Sequence, residues 1–484
     1  MLDYKVKIGI APVRRIAVGR PAGSMFNAIA AKETKDRILP AIKKKFANKN
    51  VEFVDLGNFN DGEGMISEWD HAFPAADIFK AAKIDALFII NVNFGEEEVG
   101  AKLAQLMGLP TLIWAPQDEY FGSGAEDLKN EEYGKRLTDA QCGLFATSKL
   151  LQRMGIKFSH IVNSPVESDT FKVGLEDFLA VTCMIKNWKT MRILQLGNRP
   201  KPFTSMMFNE SELLEKFGVE VFPVTSSLAV LRLKEILEKR EPEIKEVLAY
   251  IKKTYKDDIG TPEEYLRNVA ALTILYRDLF KETNCSFISG ECSFARAELG
   301  ISACLAMSIA NSEKKFVSCE SDMLGGITMC ILSCATLGEK FPFFGEFTAR
   351  HPSNPNAELI WHCGPFAYQV GDPKLHEPYL HTDFTLKGSI RAGFEVARGN
   401  YSIARLDALG GEYSMLMGTF KGVEGPFTRG NYVWGEFKDW PKFEQAVIFG
   451  PYVHHMAEVE GDVIRRLKEF CRYTGIKADC PDDK

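Results

Sequence analysis

No stretch of this 484-residue chain reaches the roughly 18 consecutive apolar residues that a membrane-spanning helix requires. Its opening, Met1 to Val13, is a short charged segment leading into a strand. It lacks the apolar stretch and small-residue cleavage site of a secretory signal. The expectation is a cytoplasmic protein. A basic stripe is missing as well: 59 Lys and Arg stand against 65 Asp and Glu, a net charge of −6 with no long run of either sign. That excludes a nucleic-acid partner, because phosphates are neutralised by clustered cations. The chain holds no HExxH helix, no Walker-type phosphate loop, no GxGxxG turn after a strand and no GxSxG elbow. Zincin, P-loop, dinucleotide and α/β-hydrolase chemistry are thereby disfavoured. The 11 cysteines form no CxxC pair. They are odd in number and mostly set in apolar surroundings, as at Cys304, Cys330 and Cys334. They read as small buried hydrophobes, not as disulfides or a structural zinc site.

What is present is an ordinary globular composition, 45% hydrophobic and 26% charged, in a chain long enough for about three domains. Short apolar, strand-like runs at Lys7–Ala11, Val51–Leu56, Ala86–Asn91, Thr111–Ala115 and His160–Val162 alternate with helical stretches such as Asp36–Phe46 and Ala101–Met107. Alternation of this kind predicts a parallel sheet covered by helices. A second such unit starts with the strand Arg192–Leu196, a helix at Ser211–Lys216 and a strand at Val219–Val224. Long helices over Leu233–Tyr255 and Pro262–Glu282 follow, then the strand Val317–Cys319 and a helix after Asp322. Beyond about Glu346 the runs shorten, at Ala357–His362, Thr385–Arg391, Ser402–Leu406, Tyr413–Thr419 and Asn431–Trp434, with Gly, Pro and Asn between them. That pattern predicts an antiparallel barrel or sandwich. A closing helix is expected from the spacing of Val459, Val463, Leu467, Phe470 and Cys471. The expected organisation is an α/β domain over 1–165, a second over 166–345 and a β-rich domain over 346–484.

Six of the 8 histidines lie in that last third: His351, His362, His376, His381, His454 and His455. The pair His454-His455, just before the final helix, is placed to ligate a metal; a hydrogen-bonded structural role competes with that reading. The second signal is Glu298. It lies on the apolar stripe of a helix expected over Phe294–Ala310, together with Ile301, Leu305 and Ile309, and a carboxylate there is costly unless it meets a cation. A solvated helix end is the alternative. The third is Val317-Ser-Cys-Glu-Ser-Asp-Met-Leu-Gly-Gly, where a strand ends in Glu320 and Asp322, the position at which open α/β sheets bind ligands. Asp322 also suits a helix N-cap. Two carboxylates and an imidazole form a mixed oxygen and nitrogen set that suits Mn²⁺, and less specifically Mg²⁺, Co²⁺ or Fe²⁺.

On these residues the chain resembles the L-fucose isomerase family, a group that the L-arabinose isomerases also resemble in fold. The resemblance runs from Ile8-Gly-Ile-Ala-Pro-Val-Arg-Arg to the closing His455…Gly461-Asp…Leu467…Gly475-Ile, and its most specific piece is the spacing from Glu298 to Asp322. It implies two Rossmann-like α/β domains followed by a β-rich, barrel-type domain. It also implies a metal held by Glu298, Asp322 and His455, with Glu298 and Asp322 catalytic. Arg14, Arg15, His362, Trp434 and His454 fall where sugar contacts are expected; for Trp434 and His362, a core aromatic and a structural histidine compete. Glu320 is expected behind the ligands, and Glu291 is open. The implied activity is aldose–ketose isomerisation of an open-chain sugar through an ene-diol, in a homo-oligomer, trimeric or hexameric. The chain is shorter than bacterial fucose isomerases, has Ala11 where they carry arginine and His454 where they carry asparagine, which leaves the sugar open. A non-enzymatic sugar-binding protein and a metal-dependent sugar lyase or epimerase are the rival readings.

Overall fold

The structure is a computed structural model that describes residues 1–15, 28–117, 121–123, 133–136, 138–294, 296–382 and 389–483; at 28, 29, 121–123, 133–136, 297 and 298 it describes backbone alone. Two compact units emerge, Tyr4–Lys186 and Asn187–Lys484 together with Met1–Asp3.

The first unit contains β1 (Val6–Val13), β2 (Val51–Asp55), β3 (Ala86–Asn91) and β4 (Thr111–Trp114), a short antiparallel pair β5 (Phe121–Ser123) and β6 (Tyr133–Arg136), and β7 (Phe158–His160). Five of these strands form a parallel sheet in the order β2-β1-β3-β4-β7. Every residue of β3 is buried, which is why it reads as an apolar run up to Asn91: a strand inside a parallel sheet is covered on both faces.

The second unit begins with another parallel sheet. Its strands β8 (Arg192–Leu196), β9 (Glu220–Val224), β10 (Phe287–Gly290) and β11 (Val317–Ser318) are ordered β11-β10-β8-β9. The helix Met323–Ala335 follows β11 and is buried at every residue. Its glycines permit that. A Cβ on Gly325 would lie 2.3 Å from Phe344, and one on Gly326 would lie 2.1 Å from Phe287.

The remaining strands are β12 (Phe343–Arg350), β13 (Ala357–His362), β14 (Tyr379–Thr382), β15 (Ile390–Glu395), β16 (Asn400–Leu409), β17 (Glu412–Val423), β18 (Asn431–Phe437), β19 (His455–Glu460) and β20 (Lys477–Asp479). Strand β17 pairs with both β16 and β18. The ring β12-β13-β18-β17-β16-β19 therefore closes as an antiparallel barrel, and closure removes the edges an open sheet would expose. The fold is thus mixed α/β with two parallel sheets and a barrel-rich carboxy-terminal part.

Several local expectations are corrected. The helix expected over Leu233–Tyr255 is two helices, Ser226–Lys239 and Glu241–Thr254, meeting at Arg240 (φ −117°, ψ 41°). Pro242 at the head of the second cannot donate to the preceding turn and clashes with it, so the helix restarts there. The helix expected over Phe294–Ala310 is also broken, into Arg296–Leu299 and Cys304–Ser312, with Gly300 left-handed at φ +65° between them. At the carboxy terminus Val459 belongs to β19, and the final helix spans Ile464–Thr474. His455 opens that strand; it does not lead into the helix. The strand expected at Thr385–Arg391 falls largely outside the described residues, which resume before β15.

Candidate functional site

The carboxyl end of β11 delivers the first residues. Cys319–Ser321 forms one tight turn in which Glu320 (φ +61°) and Ser321 (φ +56°) are both left-handed. Non-glycine residues pay on the order of 1–2 kcal/mol each for that conformation. Strain of this kind collects where function fixes the backbone. The turn rotates Glu320 away from the direction a continuing strand would give it and sets Asp322 at the N-cap of Met323–Ala335, where its Oδ1 accepts from the Gly325 amide at 2.8 Å.

The barrel delivers the rest. Glu346 on β12 stands directly opposite His455 on β19, so the two side chains share a face. Arg405 and Asp407 come from β16. Asp322 Oδ2 receives a hydrogen bond from Arg405 Nη1 at 2.5 Å and lies 3.0 Å from His455 Nδ1; Arg405 Nε also donates to Asp407 at 3.1 Å. Asp322, Arg405 and His455 are each at most 1% exposed. Burial alone would push the Asp322 carboxyl up, but Arg405 and then His455 hold it well below the usual carboxylate range.

With Nδ1 facing Asp322, the other ring nitrogen of His455 faces two carboxylates: Nε2 lies 3.3 Å from Glu320 Oε2 and 3.6 Å from Glu346 Oε2. His455 Nε2 and Glu320 Oε2 are both buried, and neither has a hydrogen-bond partner among the described residues. Glu346, His454 and His455 each offer a ligand atom within 4.8 Å of the others, and so do Cys292, Cys319 and Glu320. Against the penalty of burial, His454 and His455 draw the Glu346 carboxyl down to about 2, so it is ionised throughout the neutral range. The half-exposed His454 sits 3.5 Å from the same Glu346 oxygen. His362 is buried, its Nε2 without a hydrogen-bond partner among the described residues and its ring 6.1 Å from that of His455. Burial lowers its basicity, but Cys363 and then Glu346 raise it to about 9. Phe344 and Phe203 wall the site, with ring centroids 5.1 and 6.4 Å from His455. Glu458, wholly buried beside β12, accepts from the Gly345 amide at 3.1 Å; burial pushes its carboxyl well above the usual range.

The sequence candidates therefore separate. Asp322, His455, His454, His362 and Glu320 converge. Both Asp322 oxygens are already engaged, by an amide, a guanidinium and an imidazole. The Glu298 side chain lies outside the described residues; its backbone is in Arg296–Leu299. Glu291, after β10, touches the Asn198 amide at 3.4 Å and accepts from Ser293 at 3.0 Å. Trp434 is packed with Leu359 and Tyr432 in a small core and donates its indole N–H to Pro426. Arg14 and Arg15 lie in the first unit. Arg14 grips Glu63 with two bonds of 2.8 and 2.9 Å, and Arg15 lies 3.8 Å over the Phe94 ring. Glu346, Arg405 and Glu458 had no local signal: each is a polar residue within a strand, and only barrel closure makes them neighbours.

Among known proteins, residues 16–189 match the N-terminal domain of the fucose/sulfoquinovose isomerases. The chain is 26% identical to a sulfoquinovose isomerase of Alkalicoccus urumqiensis over 319 residues, covering 64% of this chain and 67% of that one. It is 23% identical to the sulfoquinovose isomerase of Priestia aryabhattai over 412 residues, covering 83% and 86%. To that of Clostridium sp. (strain MSTE9) it is 24% identical over 289 residues, covering 58% and 60%. No helix among the described residues is long and apolar enough to cross a membrane.

Proposed function

We propose that the chain is a fucose isomerase-like protein that interconverts an aldose and its ketose at a divalent-metal site formed by Glu320, Glu346 and His455. The relatives' names make sulfoquinovose the first substrate to test, with fucose beside it. One observation carries the metal reading. His455 is held through Nδ1 by a buried carboxylate, while its Nε2 faces two carboxylate oxygens and has no hydrogen bond among the described residues. A metal-ligating histidine has this arrangement, its far nitrogen fixed by a carboxylate behind it. Asp322 is then the residue behind the ligand, and Glu320 a ligand. Oxygen and nitrogen donors of this kind suit Mn²⁺ and, less specifically, Co²⁺ or Mg²⁺.

When bound, the ion would polarise the sugar carbonyl and acidify the neighbouring hydroxyl. The protein's own residues do the rest. Glu346 stays ionised and anchors. Glu320, which would hold the ion through Oε2, is the group we assign to take the proton from C2 through its other oxygen and return it at C1, as an ene-diol route requires of a carboxylate within reach of both carbons. His362 accepts the Cys363 amide at Nδ1 (2.8 Å), which leaves the proton on Nε2 as a donor toward the developing oxyanion. Phe203 and Phe344 restrict water around His455. Incubating the purified protein and Mn²⁺ with a panel of aldoses, sulfoquinovose included, and separating the products by chromatography tests the activity: a ketose is expected, and fragmentation or C2 epimerisation would point to the lyase or epimerase reading.

A further inference from the structure

Four of the 11 cysteines meet beside this site. They come from four separate segments: Cys292 follows β10, Cys304 opens the helix Cys304–Ser312, Cys319 follows β11 and Cys363 follows β13. The sulfurs of Cys304 and Cys363 are 3.3 Å apart. Cys319 faces the sulfurs of both Cys363 and Cys292, and His362 Nδ1 lies 3.2 Å from the Cys363 sulfur. A cysteine that serves only as a small hydrophobe packs against carbon; here sulfur meets sulfur, from residues brought together by the packing of helix and barrel.

The members of the close pair differ. Cys304 is 1% exposed, whereas Cys363 is only partly buried. The contact with Cys304, and then that with Cys319, holds the Cys363 thiol well below its ordinary range, while the same contact and then burial push Cys304 well above. One sulfur is therefore suited to attack and the other to follow.

We propose that Cys304 and Cys363 are an oxidative modification site, closed to a disulfide by a peroxide, and that closure disables the neighbouring pocket reversibly. In the first step the Cys363 thiolate attacks one peroxide oxygen. The O–O bond breaks, a sulfenic acid forms, and the departing hydroxide takes up the proton that Cys363 had released, giving water. In the second, the Cys304 sulfur attacks the Cys363 sulfur: the S–O bond breaks, the S–S bond forms, and the leaving hydroxide departs as water with the Cys304 proton. Two thiols are oxidised and one peroxide is reduced to two waters. Joining the sulfurs at about 2.05 Å draws Cys363 toward the helix, and His362 is covalently next to it, its ring 6.1 Å from that of His455. Only the loss of turnover rests on the isomerase reading; the bond itself does not.

The test treats the full-length reduced protein with hydrogen peroxide, blocks remaining thiols and maps disulfides by mass spectrometry of the peptides. One Cys304–Cys363 linkage per chain is expected while exposed Cys142 stays free of any intramolecular bond, and dithiothreitol restores both thiols. Cys304→Ser should abolish the linkage and leave Cys363 trapped as sulfenic or sulfinic acid. In parallel, turnover of the parent should fall by up to about 10²-fold, the cost of a ~1 Å misplacement, and recover on reduction. Free thiols at both positions after Cys142 has been oxidised, or a linkage from Cys363 to Cys319 instead, would overturn the assignment. A full Cys304–Cys363 linkage with unchanged turnover would overturn its effect on the pocket. If no sugar turns over at all, the peptide map still decides the bond.

Discussion

Asp322 Oδ2 and His455 Nδ1 lie 3.0 Å apart across 133 residues of sequence, and Arg405 reaches the same oxygen at 2.5 Å. A buried carboxylate thus pairs with a buried guanidinium while fixing the orientation of an imidazole. The free face of that imidazole meets Glu320 and Glu346.

Asp322→Asn keeps the shape and the N-cap acceptor but leaves Arg405 buried against a neutral amide. Removing one partner of a buried ion pair costs about 3–5 kcal/mol, and residues behind a metal ligand contribute about 10–100-fold in affinity. Denaturant unfolding should show that loss, and calorimetry should show weakened Mn²⁺ binding. A variant as stable as the parent that binds no Mn²⁺ at all would instead make Asp322 a direct ligand.

Glu320→Gln and Glu346→Gln should each lose Mn²⁺ while the protein still folds, because both carboxylates face His455 Nε2. Stripping the parent with EDTA should abolish turnover, and Mn²⁺ or Co²⁺ should restore it. Retained metal in both Gln variants would remove them from the site.

Gly325→Ala puts a methyl 2.3 Å from Phe344 and 2.9 Å from Arg405 Nη1, inside a helix that is buried at every residue. Overpacking of this sort costs about 1–3 kcal/mol. Because the Phe344 ring sits 5.1 Å from His455, Mn²⁺ affinity should fall with the melting temperature. A variant with unchanged melting would show that the contact relaxes freely.

Glu358 on β13 is 4% exposed, and burial pushes its carboxyl up to about 7, with Arg350 opposing at 3.6 Å. A raised pKa means the folded chain holds this proton more tightly than the unfolded one. The stabilisation is complete below the unfolded value near 4.5 and is lost as pH rises through about 7. Glu358→Gln cannot ionise, so it should melt near the parent at about pH 5 and above it at about pH 8. Equal differences at both pH values would contradict the assignment.

Much of this architecture is legible in the chain. Arg192–Leu196 and Ala357–His362 are strands with the expected bounds, because each is an apolar run closed by polar or glycine residues. The shift to short strands near Glu346 announces the barrel, and the Asp322 N-cap is explicit in Asp-Met-Leu-Gly. The roles at the strand end are not. Alternation places Glu320 and Asp322 on one side of a strand, yet β11 stops at Ser318 and two left-handed residues turn the chain. Glu346 and Arg405 become visible only when β12, β16 and β19 pair, since long-range register leaves no trace in a local pattern. The clustering of Cys304 with Cys363 is hidden for the same reason.

The most direct measurement is proton NMR of the sugar pool after incubating an aldose substrate, sulfoquinovose first, with the Mn²⁺-loaded protein in D₂O. Proton transfer by a carboxylate predicts ketose accumulating with solvent deuterium at C1 and recovered aldose labelled at C2. Ketose and aldose both free of deuterium would contradict Glu320 as a solvent-exchanging base, and the absence of any ketose across the aldose panel would contradict the isomerase itself.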